Sequence, residues 1–436
     1  MDQARYVIIG NSIAAIHAIE GIRELDRDGS IVVISDEKAH VYSRPLISYY
    51  LGQKVDEARM SYRAPTFYEE NRVQTFLGKK AIRLDTKAKQ IILDDKTRIR
   101  YEKLLLATGG APFVPDIPGK GLEGVFHFTT IEDARCLKRY ITDHPVQKAL
   151  VLGGGLIGLK ATEALIALNL RVSIVEIADR ILSATFDQTA SRIIEKALGD
   201  IGCPIMTGNT VKEFLKGHDR RISAAILKDD TKIDCDLAIM AIGVRPRLDL
   251  VQGTNIKANR GILVDRQLQT SVKDIFAAGD VVESYDMTLH THRPVAILPN
   301  ASRQGRIAGQ NMAGGNRTYE GCLAMNSVEL AGIPTISVGL TDPSVLADAE
   351  RKKRIEVLES IEEEDAQYKK VALENNRIIG VILIGKIDRA GIYTGLIKDK
   401  VDISPFKDHL LKDDFGLLSL PRAYRKHLVT GQGIEV

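Results

Sequence analysis

Two glycine-led turns, about 140 residues apart, carry the clearest chemistry in this 436-residue chain. In the second, Gly153, Gly155 and Gly158 complete a G-x-G-x-x-G between the apolar run ALVL and the segment LKATEALIAL. The first glycine makes a tight turn, the second admits backbone close to a pyrophosphate, and the third lets helix pack on strand. The pyrophosphate then sits on a helix N-terminus, where unsatisfied N–H groups and the dipole favour an anion. Glu176 ends the next strand, VSIVE, placed to accept bonds from a ribose diol. A carboxylate there opposes a 2′-phosphate: two unit charges at about 4 Å in an effective dielectric of about 20 interact by about 4 kcal/mol. Arg180 is the nearby cation that would compensate. NAD(H) is therefore expected ahead of NADP(H).

The first turn follows YVII, with Gly10 leading and Ser12 and Ala15 at the second and third glycine positions. Both are small, so close backbone approach survives. An acid again ends the following strand, IVVISDE, and spacing does not choose between Asp36 and Glu37. The plain alternative for this copy is an ordinary βαβ unit of a parallel sheet, whose buried strands also read as apolar runs. Two dinucleotide sites in one chain point to a flavin exchanging electrons with a nicotinamide.

Three later segments extend the pattern. LLLATGGAPFVPDIPG holds Ala107, Thr108 and Gly109; CDLAIMAIGVRPRLDL holds Gly243; TSVKDIFAAGDVVE holds Gly279 and Asp280. With the helix of LPNASRQGRIAGQNMAGG behind them, residues 5 to about 340 resemble the FAD-dependent pyridine-nucleotide oxidoreductases of the two-dinucleotide fold. The resemblance implies that Asp280 binds the ribityl chain of FAD and that the N-terminus of that helix faces the flavin ring. The implied fold is α/β: two Rossmann-like, three-layer dinucleotide-binding domains plus a smaller α+β C-terminal domain. The expected boundaries are 1–118 with 245–320 for a discontinuous FAD domain, 119–244 for the NAD domain and 321–436 for the C-terminal interface domain. The proline-rich VPDIPGKGLEG and the VRPR turn are the natural crossing points. YKKVALENNRIIGVILIG reads as two strands joined at Asn375–Asn376. In related flavoproteins the third domain forms a dimer interface or packs over the flavin, so a homodimer and a hetero-oligomer both stay open.

Many such relatives carry a redox cysteine soon after the first βαβ. Here the stretch DEKAHVYSRPLISYYLGQK contains none, so no thiolate relay between flavin and substrate is expected. YSRPLISYYL is instead similar to rubredoxin reductases, oxygenase-coupled ferredoxin reductases and the flavin region of assimilatory nitrite reductases. That likeness implies that Arg44 and Pro45 lie against FAD, Arg44 being suited to bidentate donation. The ferredoxin reductases also place a lysine just after this arginine and a glutamate just after the NAD glycines. In this chain those positions hold Tyr49 and Lys160. Both are candidate catalytic residues, Lys160 by setting positive charge near the nicotinamide–flavin contact.

With 60 basic and 57 acidic residues the net charge is +3, which gives no global field for nucleic acid. No run of 18 apolar residues suggests a membrane span. Met1 leads almost directly into the first strand, leaving no room for a signal peptide. Cys136, Cys203, Cys235 and Cys322 show no paired spacing, and a reduced cytoplasmic setting is the simplest expectation. No cysteine cluster suits an iron–sulfur centre. The histidines His17, His40, His127, His290 and His292 do not fall at metal-ligand spacing with acids, so no metal is expected. Electrons entering the flavin must then leave the chain. An iron–sulfur or rubredoxin-like carrier, or a catalytic subunit of a larger oxidoreductase, is the expected partner. An NADH oxidase reducing oxygen and a non-catalytic flavin-binding assembly subunit are the alternatives. RKKR (351–354) and EEED (362–365) form a local charge dipole, read as a solvated edge or a docking patch for a small carrier.

Overall fold

The computed structural model describes residues 3–217, 219–422 and 425. The chain forms two compact units, one of Met1–Ile177 with Asn209–Cys322, the other of Ala178–Gly208 with Leu323–Val436.

The first unit opens with β1 (Gln3–Ile9), α1 (Ile13–Leu25) and β2 (Ile31–Ser35), continues through the short α2 (Ile47–Leu51), and returns to the sheet as β3 (Arg98–Leu106). β1 lies between β2 and β3, parallel to both, with Ile9 opposite Ile34 and Leu106. Val73–Leu77 extends the sheet beyond β2, and Ile275–Ala277 joins β3 in parallel. Successive β1 residues alternate between two cores, Tyr6 and Ile8 facing one, Val7 and Ile9 the other. Both faces are therefore covered, which is why IVVI is an unbroken apolar run and the strand, Ser35 included, is buried at every position.

A second nucleotide-type sheet follows. α3 (Ile131–Asp143) precedes β4 (Lys148–Leu152), α4 (Leu156–Ala167) and β5 (Arg171–Val175), and β6 (Leu237–Met240) flanks β4 on its other side. The two chain crossings expected at the proline-rich segments pair with each other: Gly110–Pro112 runs antiparallel to Val244–Pro246, and Arg245 stacks 3.7 Å above the Phe113 ring centroid. The long helix α5 (Leu298–Met312) packs along α1. A Cβ at Gly305 or Gly309 would collide with the carbonyls of Ala14 or Ala18, so glycine sets this helix–helix distance.

The second unit holds a five-stranded antiparallel sheet of β7 (Met325–Leu330), β8 (Ile333–Gly339), β9 (Ile355–Glu362), β10 (Gln367–Glu374) and β11 (Arg377–Ile384), ordered β7-β8-β11-β10-β9. The β10–β11 hairpin turns on Asn375 and Asn376, with φ of 51° and 56°. Two consecutive positive φ angles are what a two-residue type I′ turn demands, and asparagine tolerates them. α6 (Ala390–Lys398) covers one face of the sheet. Inside this unit Lys370 donates to Asp187 at 2.6 Å and Tyr368 to the same carboxylate at 2.8 Å, all three buried. RKKR is not a uniformly solvated run: Arg351 is buried and holds Glu374 at 3.0 Å. Among the described residues no helix is long and apolar enough to cross a membrane.

Candidate functional site

Both glycine turns lie in the first unit. Gly10 has φ +119° and Gly153 φ +114°, a region that L side chains avoid. A Cβ on either would also strike the neighbouring strand end, the Ala107 carbonyl for Gly10 and the Ala241 carbonyl for Gly153. Each turn is thus pressed against its sheet, leaving its far side to a ligand. Space is open beside Gly109, Gly155 and Gly243. Gly158 abuts the Gly153 carbonyl, so its role is packing.

The helices behind these turns begin without side-chain caps. Ser12 occupies the N-cap of α1, Gly155 that of α4 and Ile297 that of α5, and none makes a capping hydrogen bond. None of the three carries an acid in its first turn. Other helices are closed: Thr130 and Asp133 form a capping box on α3, and Asp187 caps helix Gln188–Asp200. Unsatisfied N–H groups at a helix start attract anions, and burying them without a partner is costly. The residues present at both turns fit a dinucleotide pyrophosphate. Ala15, at the third glycine position of the first turn, lies in the first turn of α1 and is fully buried in the core.

The acids at the strand ends have partners. Glu176 accepts from the Gly154 amide at 2.6 Å, tying the strand end to the glycine turn. Glu37 takes the Tyr42 hydroxyl at 2.6 Å on one oxygen and the Arg44 guanidinium on the other. Asp36 turns away to Arg247 at 2.7 Å. Arg44 also donates to the Thr129 carbonyl at 3.0 Å, and Tyr42 accepts from the Ile131 amide at 3.0 Å. Burial opposes the Arg44 charge, but Tyr42 and Glu37 outweigh it and hold its pKa above the ordinary value. Burial pushes the Asp280 carboxyl above the usual carboxylate range, with the Arg44 charge working against that rise. The Gly279 amide before it donates to Gln304 on α5 at 2.8 Å. Thr108 donates to the Arg247 carbonyl at 3.2 Å, and Arg44 starts the short 3₁₀ turn Arg44–Leu46, with Pro45 second, that leads into α2.

α2 packs against α4, and this brings Tyr49 to Lys160, whose ammonium lies 5.0 Å from the ring centroid. Lys160 is ion-paired with Glu163, one turn further along α4. Lys160 therefore finds its acid on its own helix, at the i,i+3 spacing. Tyr42 and Gln304 were passed over. Only their tertiary partners give them meaning, so the linear chain held no signal for them.

Every cysteine is free. Burial pushes Cys203 and Cys322 up to about 11 and Cys235 to about 12, which keeps these thiols protonated. Among the described residues no group of three or more His, Cys, Asp or Glu could hold a metal ion.

Residues 4–305 match the family model described as pyridine nucleotide-disulphide oxidoreductase, and 325–401 match the rubredoxin NAD+ reductase C-terminal domain. The chain is 31% identical over 408 residues to nitrite reductase [NAD(P)H] of Bacillus subtilis, covering 93% of this chain and 48% of that protein. It is 31% identical over 417 residues to the NADH-dependent phenylglyoxylate dehydrogenase subunit epsilon of Aromatoleum evansii, covering 94% of this chain and 95% of that one. The chain thus spans about half the length of the first relative and nearly all of the second. Its fold is shared with a ferredoxin reductase from Rhodopseudomonas palustris at TM-score 0.81 and 24% identity, covering 92% and 95% of the two chains.

Proposed function

From the premise that this chain belongs to the pyridine nucleotide-disulphide oxidoreductase family, whose members depend on FAD and NAD(P)H, we propose that it moves electrons between NADH and an external one-electron carrier. The carrier is an iron–sulfur or rubredoxin-like protein, or the catalytic subunit of a larger oxidoreductase. In the three-domain division that accompanies this reading, residues 1–118 and 245–320 hold FAD, 119–244 hold NAD(H), and 321–436 serve as the interface domain.

The observation that carries the reading is the pair of uncapped helix starts behind Gly10 and Gly153, in a chain whose thiols are all unpaired. Bound FAD would take a hydride from NADH and release electrons singly. The protein supplies placement and charge. The α1 start and Ser12 receive the FAD pyrophosphate, Glu37 or Asp36 the adenosine ribose, and Asp280 the ribityl chain. Arg44 lies between the Glu37 carboxylate and the region of Asp280, suited to the flavin side of the cofactor. Gly155 and the α4 start receive the NADH pyrophosphate. Glu176 receives the ribose diol, and Arg180, the cation that would favour a 2′-phosphate, is engaged by Asp179 and Asp342. Likeness to a nitrite reductase and to a subunit of a dehydrogenase supports work inside a larger electron-transfer system.

The test is anaerobic stopped-flow mixing of FAD-loaded protein with NADH, followed by oxidised rubredoxin or ferredoxin. Flavin bleaching by NADH, faster than by NADPH, and rapid reoxidation by the carrier are expected. Bleaching followed by reoxidation with air alone at the carrier's rate would replace this reading with an oxidase. A flavin that NADH never bleaches would leave only an assembly role.

A further inference from the structure

The first unit also carries a solvent-open cleft of about 540 Å³ whose lining contains no residue of either glycine turn. Its walls include Tyr50, Lys54, Asp56, Glu57, Arg59 and Lys138. Tyr50 belongs to α2 and Lys138 to α3, and the others come from the segment that follows α2. The cleft exists because α2 packs on α3 as well as on α4.

The charges in it are unevenly matched. Glu57 is taken up by Arg135 of α3. Asp56 accepts from the Arg59 amide at 2.9 Å, which leaves the Arg59 guanidinium uncommitted. The Lys54 ammonium lies 5.7 Å from the Tyr49 ring centroid, and that of Lys138 4.8 Å from the Tyr50 ring centroid. Among the described residues none of these three cations is held by a carboxylate. With Glu57 neutralised, three cations face one acid, Asp56, and Lys54 and Arg59 are exposed. The basic run RKKR differs: Arg351 is held by Glu374 and Lys353 by Glu350. Unmatched cations around an open cleft attract and orient a surface that brings carboxylates of its own.

We propose that this cleft is the docking site of the external carrier, and that the carrier presents an acidic face to it. This rests on the electron-transfer reading above. The α2 wall follows directly on Arg44, the residue given to the flavin side. Six residues of helical backbone, at about 1.5–2 Å each, put Tyr50 about 10 Å further along. A carrier seated there stands one short helix from the flavin side and leaves both nucleotide turns clear. Each NADH yields two electrons, so two carriers dock in succession and each gains one electron, with NAD+ and one proton released. Tyr50 supplies an aromatic contact, and Lys54, Arg59 and Lys138 supply the charge.

The test uses FAD-loaded protein, NADH and an acidic [2Fe–2S] ferredoxin at low ionic strength. Lys54→Glu/Arg59→Glu should lower kcat/KM for ferredoxin about tenfold or more and flatten its dependence on salt. Asp56→Asn, which keeps the acceptor for the Arg59 amide, should raise kcat/KM. Flavin bleaching by NADH, and reoxidation by benzoquinone, a neutral acceptor, should stay within about twofold of wild type in both variants, because neither step needs the docked carrier. Ferredoxin kinetics unchanged in Lys54→Glu/Arg59→Glu, or lowered instead by Lys352→Glu/Lys353→Glu, would overturn the docking site. So would a loss shared equally by ferredoxin and benzoquinone. Wild-type protein that NADH bleaches but that reduces neither ferredoxin nor rubredoxin would instead overturn the functional reading beneath it.

Discussion

Asp280 is a carboxylate that the fold holds against its own ionisation. Burial holds its carboxyl above the usual range, so the ionised form is disfavoured in the fold and stability is lost as pH rises through the raised pKa. Asp280→Asn should therefore melt higher than wild type at pH 7–8 when both lack FAD, by differential scanning fluorimetry, yet bind FAD at least tenfold more weakly. Lys160 carries a prediction of its own. It sits between the Tyr49 ring and Glu163, so Lys160→Glu places two acids one turn apart. Hydride transfer from NADH should slow about tenfold and the flavin potential should fall, with Lys160→Met intermediate, read by stopped flow and redox titration. Glu176→Gln keeps the bond geometry to the Gly154 amide and removes the charge. The ratio of kcat/KM for NADH over NADPH should drop at least tenfold, which corresponds to about 1.4 kcal/mol of lost repulsion. The placement of Glu176, Gly10 and Gly153 at a strand end and in two tight turns was legible because it depends on local spacing. Glu37 and Asp36 were not separable, since what distinguishes them, Arg44 and Tyr42 on one and Arg247 on the other, comes from distant parts of the chain.

Among the elements, the α1–α5 contact is the most sensitive to volume. Gly305 and Gly309 of α5 face the backbone of Ala14 and Ala18 on α1. Gly309→Val should destabilise the protein by about 1–3 kcal/mol through overpacking, seen as an earlier urea midpoint when FAD release is followed by fluorescence. Strands and helices of the two nucleotide motifs were readable from apolar runs bounded by glycine, and the Asn375–Asn376 hairpin from its turn residues. The buried Asp187–Lys370–Tyr368 cluster was not readable, because its members are about 180 residues apart and each looks like a surface polar residue in sequence.

At the scale of the whole molecule, the chain has no built-in store for electrons beyond the cofactor it would hold. Three thiols are buried and kept protonated, and the fourth, Cys136, is partly exposed without a cysteine partner. Treatment of the native protein with iodoacetamide should leave NADH-dependent flavin bleaching within twofold of untreated protein, whereas a thiol relay would be abolished. The near balance of 60 basic and 57 acidic residues makes any carrier docking a matter of local patches rather than of net field.

The chain passes from the first nucleotide motif to the second and back again, and both passages are zipped into one short ribbon by Gly110–Pro112 and Val244–Pro246. Two separate tethers would let the halves twist against each other. A paired ribbon, with Arg245 clasped on Phe113, ties each passage to the other, so a substitution that loosens one strand of it loosens both.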